Sequence, residues 1–270
     1  MSGCISMSSD TRGLRPNREQ RWNIIQSMLE RKPLVLISEL ASIFGVSTET
    51  ARRDIDAMAD ADLVERTYGG ATALRTGREP AFSQRASLLM EERKRMATMA
   101  ALTVRDNDVL MVDSSATCVH LAERLALDRH NLQIITNSFA VASALAYNST
   151  FRIIMASGLY QGTEGANYGS ETTEFLRRFH ADWCFSSCGA LAPEGPTEVD
   201  SDVTAVTRVM FSRARKVILL ADHSKFRRPR LEVVGPLTDI DELITDQPPP
   251  ANLQQALQEA GVKVLVAPSP

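Results

Sequence analysis

The 270-residue sequence has no apolar run approaching the roughly 20 residues that a membrane-spanning helix needs. Cysteine is sparse: of Cys4, Cys118, Cys184 and Cys188, no two show the two-residue spacing of a zinc knuckle or redox dithiol, so all four read as packing residues. His120, His130, His180 and His223 are scattered, which excludes an evident metal constellation, and neither metal nor cofactor is expected. Residues 1–16 are polar and Ser-rich, without the apolar core or cleavage pattern of a secretory signal; a disordered tail on a soluble, cytoplasmic chain is predicted. No repeat of solenoid period is present. Net charge is small, at −3, which argues against indiscriminate binding to nucleic acid.

What is present is ordinary globular composition, 44% hydrophobic and 23% charged, enough for one large or two unequal domains. The charge is unevenly placed. Between Thr11 and Arg78 there are eleven Lys/Arg against nine Asp/Glu, and elsewhere nineteen against twenty-four, so a mildly basic head precedes an acidic body.

In the head, Asn17 is followed three positions later by Gln20, and Trp22, Ile25, Met28 and Leu29 recur at helical spacing. A first helix to about Arg31 follows, with Pro33 as its stop. Leu34-Val35-Leu36 suits one short strand, and Ser38 is placed to cap a second helix that turns Leu40, Ala41 and Phe44 inward and ends at Gly45. After a short turn, Ser47 is placed to accept from the first amides of a third helix. Ala51, Ile55 and Met58 form its inner face; Thr48, Thr50, Arg52 and Arg53 form the opposite one. Short hydroxyls and guanidinium forks on the N-terminal half of a helix suit phosphates and base edges, although adjacent arginines can equally be solvated surface charge. Leu63 to Thr67 then alternates like a strand, Tyr68-Gly69-Gly70 turns, and Ala71 to Leu74 can return. That hairpin reads as a wing with Arg66 and Tyr68 at its tip for DNA backbone or minor groove, or as an ordinary surface hairpin.

The run Ser47 to Ile55, followed by Leu63 to Ala71 with its Gly-Gly-Ala, resembles the signature of the DeoR family of sugar-responsive bacterial repressors. The resemblance implies a winged helix-turn-helix over 17–74 that binds double-stranded operator DNA.

Residues 75–80 form a polar hinge within a linker at 75–86, and an amphipathic segment from about Ser87 to Arg105 carries Met96, Met99, Ala100 and Leu102 on one side. From Val109 onward, short apolar runs alternate with helix-like stretches: Val109–Val112, Leu132–Ile135, Phe151–Met155, Trp183–Phe185, Val217–Leu220, Leu243–Ile244 and Val264–Val266. Such runs predict the buried strands of a mostly parallel sheet in a Rossmann-like α/β domain over 87–270. Ligands bind beyond the carboxyl ends of such strands. There the chain places Asp113, Ser114, Ser115 and Thr117; Thr136, Asn137 and Ser138; Gly158 after Ser157; Ser186 to Gly189; and Lys225 after Asp222. Hydroxyls and amides at a helix start, with Lys225, suit a phosphate, and Asp113 suits sugar hydroxyls, so a phosphorylated sugar is the expected effector. The alternative for any one segment is simple helix capping.

The resemblance extends through this body, over nearly all of Arg18 to Val266. Asp113 to Thr117 looks like the family's Asp-x-Gly-Ser/Thr-Thr loop, Thr136 to Ser138 its Thr-Asn-Ser, and Ala221 to Phe226 its Ala-Asp-x-Ser-Lys-Phe. It implies a sensor domain related in fold to ribose-phosphate isomerases and coenzyme A transferases, binding a phosphorylated sugar that weakens operator binding. Ser115 stands where Gly is usual, Ala116 where a hydroxyl is usual, Ser157-Gly158 replaces Gly-Gly, and Gly169-Ser170 replaces Gly-Pro.

The function expected is that of a repressor of a carbohydrate catabolic operon, a dimer or tetramer of this chain, modulated by its effector. A rival reading is a sugar-phosphate isomerase or acyl transferase using Asp113, Glu198, Asp200 and Lys225, but no acid/base pair stands at diagnostic spacing and no enzyme is expected. A third is a DNA-binding protein whose pocket has decayed into a dimerisation module, which Ser115 and Ala116 leave open.

Overall fold

Asn17 opens the first helix of the computed structural model, which describes residues 16–32, 34–60, 63–73, 82–86, 89–226 and 228–268. The predicted tail at 1–15, the helix stop at Pro33, Leu74 and the polar hinge at 75–80 lie outside the described residues. The chain divides into two compact units, Met1–Arg75 and Thr76–Pro270.

In the first unit, the Gln20 amide donates to the Asn17 side chain at 2.9 Å and the Asn17 amide to the Gln20 side chain at 3.0 Å, the reciprocal cap that starts α1 (Arg18–Arg31). β1 (Val35–Leu36), α2 (Ile37–Phe44), α3 (Thr48–Asp60), β2 (Val64–Thr67) and β3 (Gly70–Ala73) follow. The expected cap by Ser38 is not made: α2 begins at Ile37, with Leu36 as its uncapped flank, because the chain turns straight out of β1. Gly45 ends α2 in the left-handed region at φ 63°, open to glycine without a Cβ penalty. Ile25, Leu40, Ile55 and Met58 are fully buried together, each contributing about 1.5–3 kcal/mol by leaving water. A bidentate pair from Arg21 to Asp54, at 2.6 and 2.9 Å, pins α3 to α1. β1 joins the hairpin as a third strand, in the order β1-β3-β2.

The second unit opens with α4 (Phe82–Ala86), inside the segment expected to be linker, and α5 (Met90–Thr103). On α5 the buried side is Arg93, Met96, Ala97, Ala100 and Ala101; Leu102, expected among them, is exposed because it lies two residues, some 200° of helix, beyond Ala100. Then come β4 (Val109–Val112), α6 (Ala116–Asp128), β5 (Gln133–Thr136), α7 (Phe139–Leu145), β6 (Arg152–Met155), β7 (Leu159–Gln161), β8 (Ala166–Tyr168), α8 (Ser170–Leu176) and β9 (Ala181–Ser186). The chain continues through β10 (Ala190–Ala192), β11 (Gly195–Glu198), α9 (Ser201–Arg213), β12 (Ala214–Leu220), a 3-10 turn (His223–Lys225), β13 (Glu232–Val233), β14 (Glu242–Thr245), α10 (Ala251–Glu259) and β15 (Lys263–Val266).

All seven apolar runs become strands of one parallel sheet in the order β15-β14-β12-β9-β4-β5-β6. Its residues alternate between two cores: Leu110, Val112 and Phe185 pack with α5, α6 and α7, while Met111, Cys184 and Leu219 pack with α8, α9 and α10. Strand order reverses direction between β4 and β9, which makes their carboxyl ends the switch point of the sheet. Two small antiparallel sheets, β7-β8 and β10-β11-β13, complete the unit. No helix among the described residues is long and apolar enough to cross a membrane.

Candidate functional site

In the first unit, the Ser47 hydroxyl accepts the Thr50 amide at 3.1 Å and bonds the Thr50 hydroxyl at 2.9 Å, which starts α3. Thr48, Arg52 and Arg53 stand exposed on the outer face, Arg53 with 79% of its side chain accessible. Both guanidinium groups lean toward Glu49, at 3.8 Å from Arg52 and 3.4 Å from Arg53. Exposed pairs of this kind hold weakly, so the arginines are available to a stronger anion. The hairpin tip is Tyr68-Gly69, with Tyr68 fully exposed. Arg66 is not at the tip as expected. It lies opposite Ala71 and its Nη1 reaches Asp56 of α3 at 2.7 Å, tying the wing to the helix.

In the second unit, the loops after β4 and β9 meet at the sheet's switch point around a partly open cavity with about 570 Å³ of empty space, a size suited to a small ligand. Ser114, Ser115, Ala116 and Thr117 line it at the start of α6, with Asp113, Ser187, Cys188 and Lys225. Ser115, extended at φ −69°, caps α6 by accepting the Cys118 amide at 3.1 Å, so its departure from the family's glycine carries no backbone strain. The Ala116 and Thr117 amides, first in the helix, have no intrahelical acceptor by geometry and point their dipoles toward the start of α6. Asp113 bonds inward: one oxygen accepts the Ser115 amide at 2.8 Å, the other the Ser186 hydroxyl at 2.6 Å and the Ser187 amide at 2.8 Å. It organises the loop where β4 and β9 end.

Sequence reasoning missed several lining groups. Arg93 of α5 is 5% exposed and places Nε 3.3 Å from Asp222 and Nη1 2.5 Å from the Arg85 carbonyl. A charge three and four residues before Met96 and Ala97, on their apolar stripe, was the legible signal for it. Arg85 of α4 and Glu164, in the turn between β7 and β8, form an ion pair at the cavity wall, and Tyr168 bonds Ser114 at 2.6 Å. Glu198 and Asp200 also line the cavity; one accepts the Gly189 amide at 3.0 Å and the other caps α9.

Burial pushes the Asp222 carboxyl upward, but Lys225, the Ser224 hydrogen bonds and Arg93 outweigh it, leaving the group below its ordinary value. Asp246 accepts the His223 amide at 2.7 Å and the His223 ring at 2.6 Å, clamping the turn that presents Lys225. Burial also raises the Tyr168 hydroxyl and the Cys118 thiol, so both stay neutral. Among the described residues no group of acidic, His and Cys side chains is placed to hold a metal.

Thr136, Asn137, Ser138 and Gly158 do not line this cavity. They follow β5 and β6, on the outer side of β4, away from the switch point. The Thr136 hydroxyl accepts the Ser138 amide at 3.1 Å, and the Asn137 side chain donates to the Asn167 carbonyl at 3.0 Å, anchoring β8. Gly158, at φ 147°, admits no side chain, since a Cβ would stand 1.8 Å from the Thr172 hydroxyl.

With both geometries in view, the family comparisons are decisive. The DeoR C terminal sensor domain family matches residues 89–247, and the DeoR-like helix-turn-helix domain family matches residues 21–76. The chain belongs to the DeoR family of transcriptional regulators. It is 32% identical to the HTH-type transcriptional repressor CsqR of Escherichia coli K12, over 91% of this chain and 94% of that one. Identity is 30% to the glycerol-3-phosphate regulon repressor of the same organism, over 91% and 97%, and 29% to the repressor GlcR of Bacillus subtilis 168, over 92% and 96%. Ribose 5-phosphate isomerase A of Neisseria gonorrhoeae aligns with 49% of this chain and 52% of that one at 14% identity and a TM-score of 0.37, too low to carry an argument. This DeoR-family protein is therefore a DNA-binding transcriptional regulator and not an enzyme.

Proposed function

We propose that this DeoR-family protein is a cytoplasmic repressor of a carbohydrate catabolic operon, released from its operator by a phosphorylated sugar. Its DNA-binding domain is residues 17–74 and its sensor domain residues 87–270, with α4 ordered onto the sensor. Ser47, Thr48, Thr50, Arg52 and Arg53 face the operator, Tyr68 reaches the backbone or minor groove, and Arg66 braces the wing. The near-neutral head binds DNA weakly alone, so specific binding uses paired heads in a homo-oligomer, a dimer or tetramer.

The observation that carries the sensor reading is the cavity at the switch point, where the start of α6 faces buried Lys225 and Arg93. A phosphate there gains helix amides and full positive charge together. Glu198 and Asp200 on the opposite wall are acceptors for sugar hydroxyls. Supporting names come from two relatives, the glycerol-3-phosphate regulon repressor and CsqR.

The test is fluorescence anisotropy of a duplex from the chain's own upstream region, titrated with protein and then with triose, pentose and hexose phosphates. Release by one of them, matched by a thermal shift, is the expected result. A uniform absence of thermal shift overturns the sensor assignment in favour of a pocket that no longer binds.

A further inference from the structure

The short helix α4 is the first described element after the wing, and it is fastened to the sensor at the cavity itself. The Phe82 amide donates to the Thr163 carbonyl at 2.9 Å, the Arg85 guanidinium pairs with Glu164, and the Arg85 carbonyl accepts Arg93 Nη1 at 2.5 Å. Arg85, Glu164 and Arg93 all line the cavity, and Arg93 is bound on its other side to Asp222, whose charge faces Lys225. One polar network therefore joins the Lys225 turn to the segment that leads to the DNA-binding unit.

Resting on the sensor reading above, we infer that Arg85 is the positioning residue through which cavity occupancy reaches the head, and that α4 is a strap released by the phosphate group of the effector. A phosphate dianion competes with Glu164 for Arg85 and with the Arg85 carbonyl for Arg93. It gains those cations only when the strap lets go, which supplies the differential affinity that a switch requires. With α4 docked, residues 74–81 separate β3 from the sensor; with α4 released, residues 74–89 do. Doubling a tether from eight to sixteen residues lowers the effective concentration of a second head about threefold.

The experiment compares the full-length wild type, Glu164→Gln, Arg85→Met and a charge control, Glu123→Gln on the outer side of α6, by operator anisotropy without ligand and by thermal shift with the sugar phosphate panel. The expected result for Glu164→Gln is a threefold or greater loss of operator affinity without ligand, with tighter sugar phosphate binding by reciprocity. Arg85→Met loses operator affinity likewise and its remaining affinity no longer responds to ligand, while Glu123→Gln matches wild type. The inference is overturned by wild-type operator affinity in Glu164→Gln, or by full ligand release in Arg85→Met. If no sugar phosphate shifts the wild type, the effector reading fails alone, because the ligand-free comparison still decides the strap.

Discussion

The two units use polar side chains in opposite ways. On α3, Thr48, Arg52 and Arg53 stand in solvent on one face of one helix, their only ion pairs exposed contacts with Glu49. In the sensor, Asp113, Arg93, Asp222 and Lys225 are nearly buried and come from four separate segments. An exposed face is free to meet a long, charged polymer whose phosphates supply the counter-charge. A buried cluster must satisfy its own charges first, so its members fix one another and a small ligand enters as one more partner. Function in the head is thus carried by individual residues, and in the sensor by a network.

Four measurements can break or sharpen that contrast. The largest effect is expected from Asp222→Asn, which leaves Arg93 and Lys225 without their buried counter-charge and costs about 3–5 kcal/mol at neutral pH. Trp183 lies in the sensor and Trp22 in the head, so fluorescence of single-tryptophan variants during urea unfolding assigns the loss to the sensor. The folded Asp222 value lies below the ordinary 3.8, so its contribution is fully present above that value and disappears as pH falls through the lowered folded one. The gap between wild type and Asp222→Asn should therefore close below about pH 4. A gap that persists unchanged in acid removes the ion-pair account.

Next, Arg53→Ala should weaken operator binding by roughly a hundredfold with no change in the unfolding midpoint, since the side chain is 79% exposed. Unchanged anisotropy curves would show that α3 does not read the operator. Thr117→Ala should lower sugar phosphate affinity about tenfold through loss of one charge-assisted hydrogen bond, read by isothermal titration, while ligand-free operator affinity holds. The smallest effect belongs to Tyr68→Ala at the wing tip: a loss of about threefold that is uniform across DNA sequences. A loss confined to the operator would instead make Tyr68 a base reader.

Legibility followed the same division. The capping pair Asn17-Gln20, the inner face Ala51, Ile55 and Met58, and the Gly45 stop are local patterns, and each appears in the structure where spacing puts it. The seven strands were legible because a sheet buried on both faces demands continuous apolar runs. Thr136 to Ser138 has the composition of a binding loop but sits on the wrong side of the switch point, a fact of strand order that no local pattern contains. Arg85 gave no signal at all: in sequence it is one more polar residue beside the hinge, and only its pairing with Glu164, 79 positions away, brings it to the cavity.

By itself the sequence determined the elements, the two cores and the face of α3 presented to DNA, because helical and strand periodicities are set by backbone geometry within a few residues. Tertiary structure alone decided which polar loops meet. The reversal of strand order between β4 and β9 opens a gap at one point of the sheet, and only groups delivered to that point, from Asp113 to Lys225, share a cavity.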